Sequence, residues 1–211
     1  MTEKTAQKEP GKKPAPSKKP KPQQEVVVQI PLSELHPFPD HPFQVREDAS
    51  MQETAESVKE YGVLVPALAR PREDGGYELI AGHRRKHACE LAGLATMPVI
   101  VRDIDRDAAT IIMVDSNLQR ENILPSERAK AYKMKMEAIK RQGARTDLTS
   151  PKISAKFRSD DEVGQDAGVS GDTIRNYIAL TQLVPELQQM VDEKKIALSP
   201  AYQIAALTPK E

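Results

Sequence analysis

Leu79-Ile80-Ala81-Gly82-His83-Arg84-Arg85-Lys86-His87-Ala88 is the stretch on which the reading of this chain turns. An apolar strand end runs into a small-residue turn, and a helix opening there carries two adjacent arginines in its first turn. The free N–H groups and positive dipole end of a helix N-terminus attract anions. Arginine adds a planar fork of donors that fits phosphate. The junction is therefore a candidate phosphate site. Spacing alone also admits a surface helix with solvated basic residues.

Strands and helices alternate around this junction. Residues 67–70 and 77–80 read as strands about a turn at Asp74-Gly75-Gly76. The helix after Gly82 is expected to pack through Ala88, Leu91 and Ala92 and to stop at Gly93. Residues 26–30 and 97–102 are further strands, and Pro31, Pro37, Pro39 and Pro42 punctuate a loop. Ser50-Met51-Gln52-Glu53 has capping-box form, with Met51, Ala55 and Val58 on one helical face and Gly62 as a stop. Residues 26–103 thus form an α+β unit. Beyond it the pattern is helical. Asp105 can cap a helix through Asp115, and Pro125 opens another with Ala129, Tyr132, Met136 and Ile139 at helical spacing. The expected division is a disordered basic tail over 1–25, the α+β domain over 26–103, connecting helices over 104–142, a loop or insertion over 143–159, and a helix-turn-helix region over 160–211.

Lys+Arg and Asp+Glu both number 31 in 211 residues, so net charge names no partner. The distribution says more: residues 1–25 hold seven lysines against three glutamates, a local asymmetry that suits either a solubilising arm or weak attraction to DNA. One cysteine, Cys89, excludes an intrachain disulfide framework and suits a reducing compartment. It reads as a small buried thiol. Neither a membrane-length apolar run nor a secretory signal is visible, so the expected location is cytoplasmic.

Residues 161–178 follow a helix-turn-helix plan. Val163 and Ala167 face inward from a first helix, Gly164 is small where two helices approach, Gly168 permits the bend, Val169 plugs the turn and Ser170 caps the second helix. Ile174 and Ile178 bury that helix. Ser170, Gly171, Thr173, Arg175, Asn176 and Tyr177 are then the candidate DNA contacts, because the N-terminal part of the second helix enters the major groove. Arg175 can pair with guanine, and Asn176 with adenine or a phosphate. Asp172 counts against, since phosphate repels a carboxylate. A helical hairpin without nucleic acid is the alternative.

These residues together resemble the ParB family of plasmid and chromosome partition proteins, in the variant carried on mobile elements. The resemblance covers about residues 26–207. Its motifs occur in order: His36-Pro37-Phe38; Pro42-Phe43-Gln44-Val45-Arg46; Tyr61-Gly62-Val63-Leu64; residues 79–88; Asn117-Leu118-Gln119-Arg120-Glu121-Asn122-Ile123; Pro125-Ser126-Glu127; and the helix-turn-helix. It implies a ParB/sulfiredoxin-like nucleotide-binding domain followed by an all-α DNA-binding region. It also implies double-stranded DNA with a palindromic centromere-like site, a homodimer on that site, a ParA-type ATPase partner, and CTP with magnesium closing a clamp that slides on DNA. By motif, Gln44 and Arg46 lie beside the nucleotide, Gly82, His83, Arg84 and Arg85 form the phosphate turn, Asn117 serves the magnesium-triphosphate unit, and Gln119 and Arg120 link nucleotide state to helix movement. A protein of this kind is nucleoid- or plasmid-associated. A sequence-specific repressor with a vestigial nucleotide fold is the alternative function.

Two positions depart from the family pattern. His83 stands where an acidic residue is usual, and Ser116 where a glutamate is usual, with Asp115 one residue earlier as a substitute magnesium ligand. Imidazole is a poor magnesium ligand, and a one-residue shift rotates a helical side chain by about 100°. Nucleotide binding is therefore expected ahead of hydrolysis, with Gln44 the single candidate for a catalytic group. Cys89, about two turns beyond Gly82, is misplaced for a nucleophile in the phosphate turn. His83 and His87 have metal-ligand spacing, but no cysteine or carboxylate cluster completes a site.

Overall fold

The computed structural model describes residues 26–120, 122–147 and 159–207. The expected basic tail lies outside them. Five strands make one sheet: β1 (Val27–Pro31), β2 (Leu35–Pro37), β3 (Ala67–Pro71), β4 (Tyr77–Ala81) and β5 (Thr96–Val101). They run in the order β1-β5-β3-β4-β2. The β1–β5 and β3–β4 pairs are antiparallel, and the β5–β3 and β4–β2 pairs parallel.

Successive side chains of a strand point to opposite faces, and β4 is buried on both. Leu79 packs with Met51, Val58, Ala88 and Cys89, from helices α1 (Ala49–Tyr61) and α2 (His83–Leu91). Ile80 packs with Ala109, Met113, Val114 and Ala131, from α3 (Arg106–Leu118) and α4 (Pro125–Asp147). The sheet is thus covered by one helix pair from within the α+β unit and by another that leads out of it. No helix among the described residues is long and apolar enough to cross a membrane.

Several local expectations shift. Asp48, not Ser50, caps α1, accepting from the Met51 N–H at 2.9 Å, so the helix begins earlier than the Ser-x-x-Glu pattern indicates. Leu91 is 52% exposed; Ala88 and Cys89 carry the packing of α2 instead. Asp105 caps α3 as expected, accepting from Ala108 N–H at 2.8 Å, but α3 runs on to Leu118. Helix α4 extends to Asp147, into the stretch read as a loop from residue 143. A glycine at 143 costs about 1 kcal/mol against alanine, too little to stop a helix already propagating.

The second helical layer comprises α5 (Ser159–Ala167), α6 (Gly171–Ala179), α7 (Pro185–Asp192) and α8 (Leu198–Ala205). Gly164 allows the closest approach: a Cβ there would stand 2.6 Å from the Val169 carbonyl oxygen. Gly168 takes φ +69° at the bend, and the Ser170 hydroxyl accepts from Thr173 N–H at 3.2 Å. Val169 is 36% exposed rather than a plug. The Gly164 contact leaves no room for a side chain inside the turn, and Val163, Ile174 and Tyr132 fill the space beneath it. Substituting Gly164→Ala should lower stability by about 1–3 kcal/mol through overpacking against backbone, measured as a reduced midpoint in urea unfolding.

Candidate functional site

Gly82 adopts φ +112°, and a Cβ at that position would fall 2.8 Å from the Ala67 Cβ. This turns the chain from β4 into α2 with bare N–H groups outward; no side chain among the described residues caps the helix. Arg84 reaches from its first turn toward the start of α1, with Nη2 3.2 Å from the Ser50 hydroxyl and 3.7 Å from Asp48 Oδ1. It lines a cleft of about 400 Å³ together with Gln44, Arg46, Arg120, Thr54 and Asn122. Four of the motif-derived residues (Gln44, Arg46, Arg84 and Arg120) therefore meet across one opening.

Arg85 does not join them. Its Nη1 donates to the Val65 and Pro66 carbonyls at 2.5 and 2.7 Å, clasping the loop that follows α1. Adjacent residues on a helix diverge by about 100°, so an Arg-Arg pair cannot easily serve one ligand. Burial, followed by the repulsion of Arg84, lowers the Arg120 pKa. A concave surface with crowded cations beside a helix N-terminus is suited to an anion.

Glu127, 7% exposed, holds the rim. It accepts from the backbone N–H groups of Gln44 and Leu124, both at 3.1 Å, and lies 3.5 Å from Arg46 Nη2. Pro125-Ser126-Glu127 shows half of this in sequence, because glutamate at the third helical position reaches back to the cap. Its long-range bond to the Gln44 loop has no local signal. Ser50, Thr54 and Asn122 are likewise additions from α1 and the α3–α4 link.

Asn117 is 2% exposed. Its Nδ2 donates to the Met113 carbonyl at 2.8 Å, and its Oδ1 is buried without a partner among the described residues. An unspent oxygen fits magnesium chemistry. Asp115 does not: its Oδ1 accepts from Lys135 Nζ at 2.6 Å. Asp115 and Gln119 line a different cleft of about 520 Å³, facing Arg128 and Asp166, so neither lines the Arg84 cleft. The rotation by one residue places them around the helix. Ser116 spends its hydroxyl on the Met113 carbonyl at 2.9 Å.

His83 packs against His41, with ring centroids 3.9 Å apart and the rings tilted by 43°. His41 Nδ1 lies 2.7 Å from the Phe43 carbonyl, which fixes the proton on that nitrogen as the donor. The Nε2 atoms of both rings are buried without partners among the described residues. Burial, reinforced by His41, Arg120 and Lys86, drives the His83 pKa down to about 3. It is a neutral ring at physiological pH. His87 instead lies 3.3 Å from Glu47. No group of three or more His, Cys, Asp or Glu side chains among the described residues is placed to hold a metal. The unfolded chain protonates His83 near 6.5, whereas the folded chain resists to about 3. Stability should therefore be full above pH 6.5 and fall as the pH drops toward 3. Urea unfolding across that range should show a shallower fall for His83→Gln.

On α6, Asp172, Arg175 and Asn176 are exposed and Thr173 is half-buried. Ser170 is a cap whose hydroxyl lies 2.9 Å from that of Thr173. Gly171 is buried against Asp161 and packs the start of the helix. Arg175 is ion-paired with Asp160 and Asp172, which accounts for the carboxylate at Asp172. Tyr177 is half-buried, meeting Tyr132 and Tyr202 edge to face at 5.7 and 6.2 Å, with Arg128 above its ring. It packs the helices together. Asn176, Thr173 and Arg175 remain as the solvent-accessible polar set among the expected contacts.

An α+β unit with a cationic cleft at a Gly–helix junction, followed by a helix-turn-helix, defines a two-part class of protein. The ParB N-terminal domain matches residues 16–118 and the ParB HTH domain residues 151–211, and the chain belongs to the ParB family. It is 34% identical over 186 residues to the chromosome-partitioning protein Spo0J of Thermus thermophilus, covering 88% of this chain and 62% of that protein. The chain thus spans less than two thirds of that relative's length. The C-terminally truncated ParB of Caulobacter crescentus, complexed to the centromeric parS site, superposes with a TM-score of 0.55 at 28% identity, covering 86% of each chain. The same protein complexed with CTP-gamma-S gives a TM-score of 0.42 at 29% identity, covering 87% of this chain and 93% of that one.

Proposed function

We propose that this chain is a partition protein that recognises a palindromic centromere-like site through α5 and α6 and binds CTP at the Gly82 junction. Nucleotide binding switches it to a clamp that slides on DNA during plasmid or chromosome segregation. The observation that carries this reading is the convergence of Arg84, Arg120, Arg46 and Gln44 on one cleft beside the bare N-terminus of α2. Arg84 and the α2 N–H groups would receive phosphate oxygens, Arg120 would neutralise charge from the α3 side, and the Gln44–Arg46 loop would close over the nucleotide. Magnesium, when bound, would spread the triphosphate charge; the unpartnered Asn117 Oδ1, buried in this structure, would be its oxygen ligand once uncovered. The complex of the Caulobacter relative with parS supports the DNA half. A two-fold site calls for two copies. The family resemblance supports a ParA-type ATPase partner and residence on the nucleoid or plasmid.

Binding is favoured over turnover. His83 is a neutral ring in the phosphate turn, and the Ser116 hydroxyl is spent on backbone, so neither position supplies a carboxylate to activate water. Calorimetry should show CTP binding, with phosphate release remaining slow in the presence of cognate DNA; rapid DNA-stimulated release would overturn this part. Arg84→Ala should weaken CTP affinity about tenfold or more, the worth of a charge-assisted contact, whereas Arg85→Ala should chiefly lower the melting temperature. Genome-wide binding should spread around each site in a CTP-dependent manner, while sharp CTP-independent peaks would mark a local repressor instead.

A further inference from the structure

Lys135 is 1% exposed, among the largest fully buried side chains of the protein. It sits mid-way along α4 and donates in two directions: to Asp115 Oδ1 on α3 at 2.6 Å and to Asp166 Oδ2 on α5 at 2.8 Å. Three helices thus share one ammonium. Burial opposes its charge, but the bonds to the two carboxylates outweigh that cost and hold its pKa above the ordinary lysine value. The carboxylates differ from their partner: their side chains are 45% and 55% exposed, and both border the 520 Å³ cleft. Water can therefore take over either aspartate, whereas Lys135 has nowhere to go. Movement of α3 away from α4 would strip a buried cation of half its partners. Asp115 and Arg120 lie on one short stretch at the end of α3, Arg120 lining the phosphate-side cleft. Asp166 lies in the last turn of the first helix of the helix-turn-helix.

We propose that Lys135 is the coupling residue between the two halves of the protein: its paired bonds to Asp115 and Asp166 make the seating of α5 depend on the position of α3. The part of this that concerns nucleotide control rests on the reading of the Gly82 cleft given above; the mechanical part does not.

Two measurements separate them. Hydrogen exchange on the nucleotide-free full chain compares wild type with Asp115→Asn, Asp166→Asn and Lys135→Met. Asp115→Asn, a change on α3, should accelerate exchange across α5 about tenfold or more, as should the other two, since each loosens the same shared bond. Exchange in α5 that stays at the wild-type rate in Asp115→Asn overturns the proposal. Affinity for cognate DNA is then measured with and without CTP. Lys135→Met should bind CTP within about twofold of wild type but lose most of the CTP-induced change in DNA affinity. A wild-type ratio in Lys135→Met overturns the coupling role. Wild-type DNA affinity that ignores CTP overturns the nucleotide-switch reading and leaves the exchange result to decide the mechanical one.

Discussion

A Cβ on Gly82 would sit 2.8 Å from that of Ala67, and this closeness orders everything around it. Ala67 opens β3, Gly82 follows β4, and the two strands are hydrogen-bonded neighbours. The left-handed turn at Gly82 lets α2 begin at once, before the chain has left the sheet. Arg84 is thereby delivered to the mouth of a cleft, and Ala88 and Cys89 to the core beneath. A side chain at residue 82 would have to displace strand β3 and would tilt α2 off the sheet. The same contact supports both packing and anion chemistry.

Polar pins then join what the apolar core leaves separate. Glu127 ties the Gln44 loop to the start of α4, and Asp192 accepts from the Ser126 N–H at 2.9 Å and its hydroxyl at 2.5 Å, tying the same helix start to α7. Helix α4 thus receives the Gln44 loop and α7 at one end, and through Lys135 it holds α3 and α5 along its length. It is the axis to which both halves attach. Interactions of this kind add modestly to stability but fix orientation strongly, because a buried carboxylate tolerates few alternative partners.

What could be read in the sequence was what local chemistry determines. The strand–Gly–helix junction, the Asp105 and Ser170 caps and the Gly164–Gly168 spacing each follow from backbone demands within a few residues. The α+β unit and the helix-turn-helix followed from them. What could not be read depended on distant contacts. Tyr177 looks groove-facing by helical position, yet Tyr132 and Tyr202 claim it. Gly171 counts as exposed until Asp161 is brought against it. Arg85 is indistinguishable from Arg84 in sequence, and the carbonyls of Val65 and Pro66 decide between them. Asp115 looked like a magnesium ligand because its true partner, Lys135, is twenty residues away.

The tyrosine chain has an optical consequence. The protein contains no tryptophan and five tyrosines. Three of them, Tyr132, Tyr177 and Tyr202, stack edge to face between α4, α6 and α8, while Tyr61 is 63% exposed at the end of α1. Rings held in fixed, asymmetric contact dominate near-ultraviolet circular dichroism, and freely solvated ones contribute little. The intrinsic signal of the unlabelled protein is therefore weighted toward the helices that pack around α6. Rearrangement of that unit can be followed without a probe, above the contribution of Tyr77, which packs in β4.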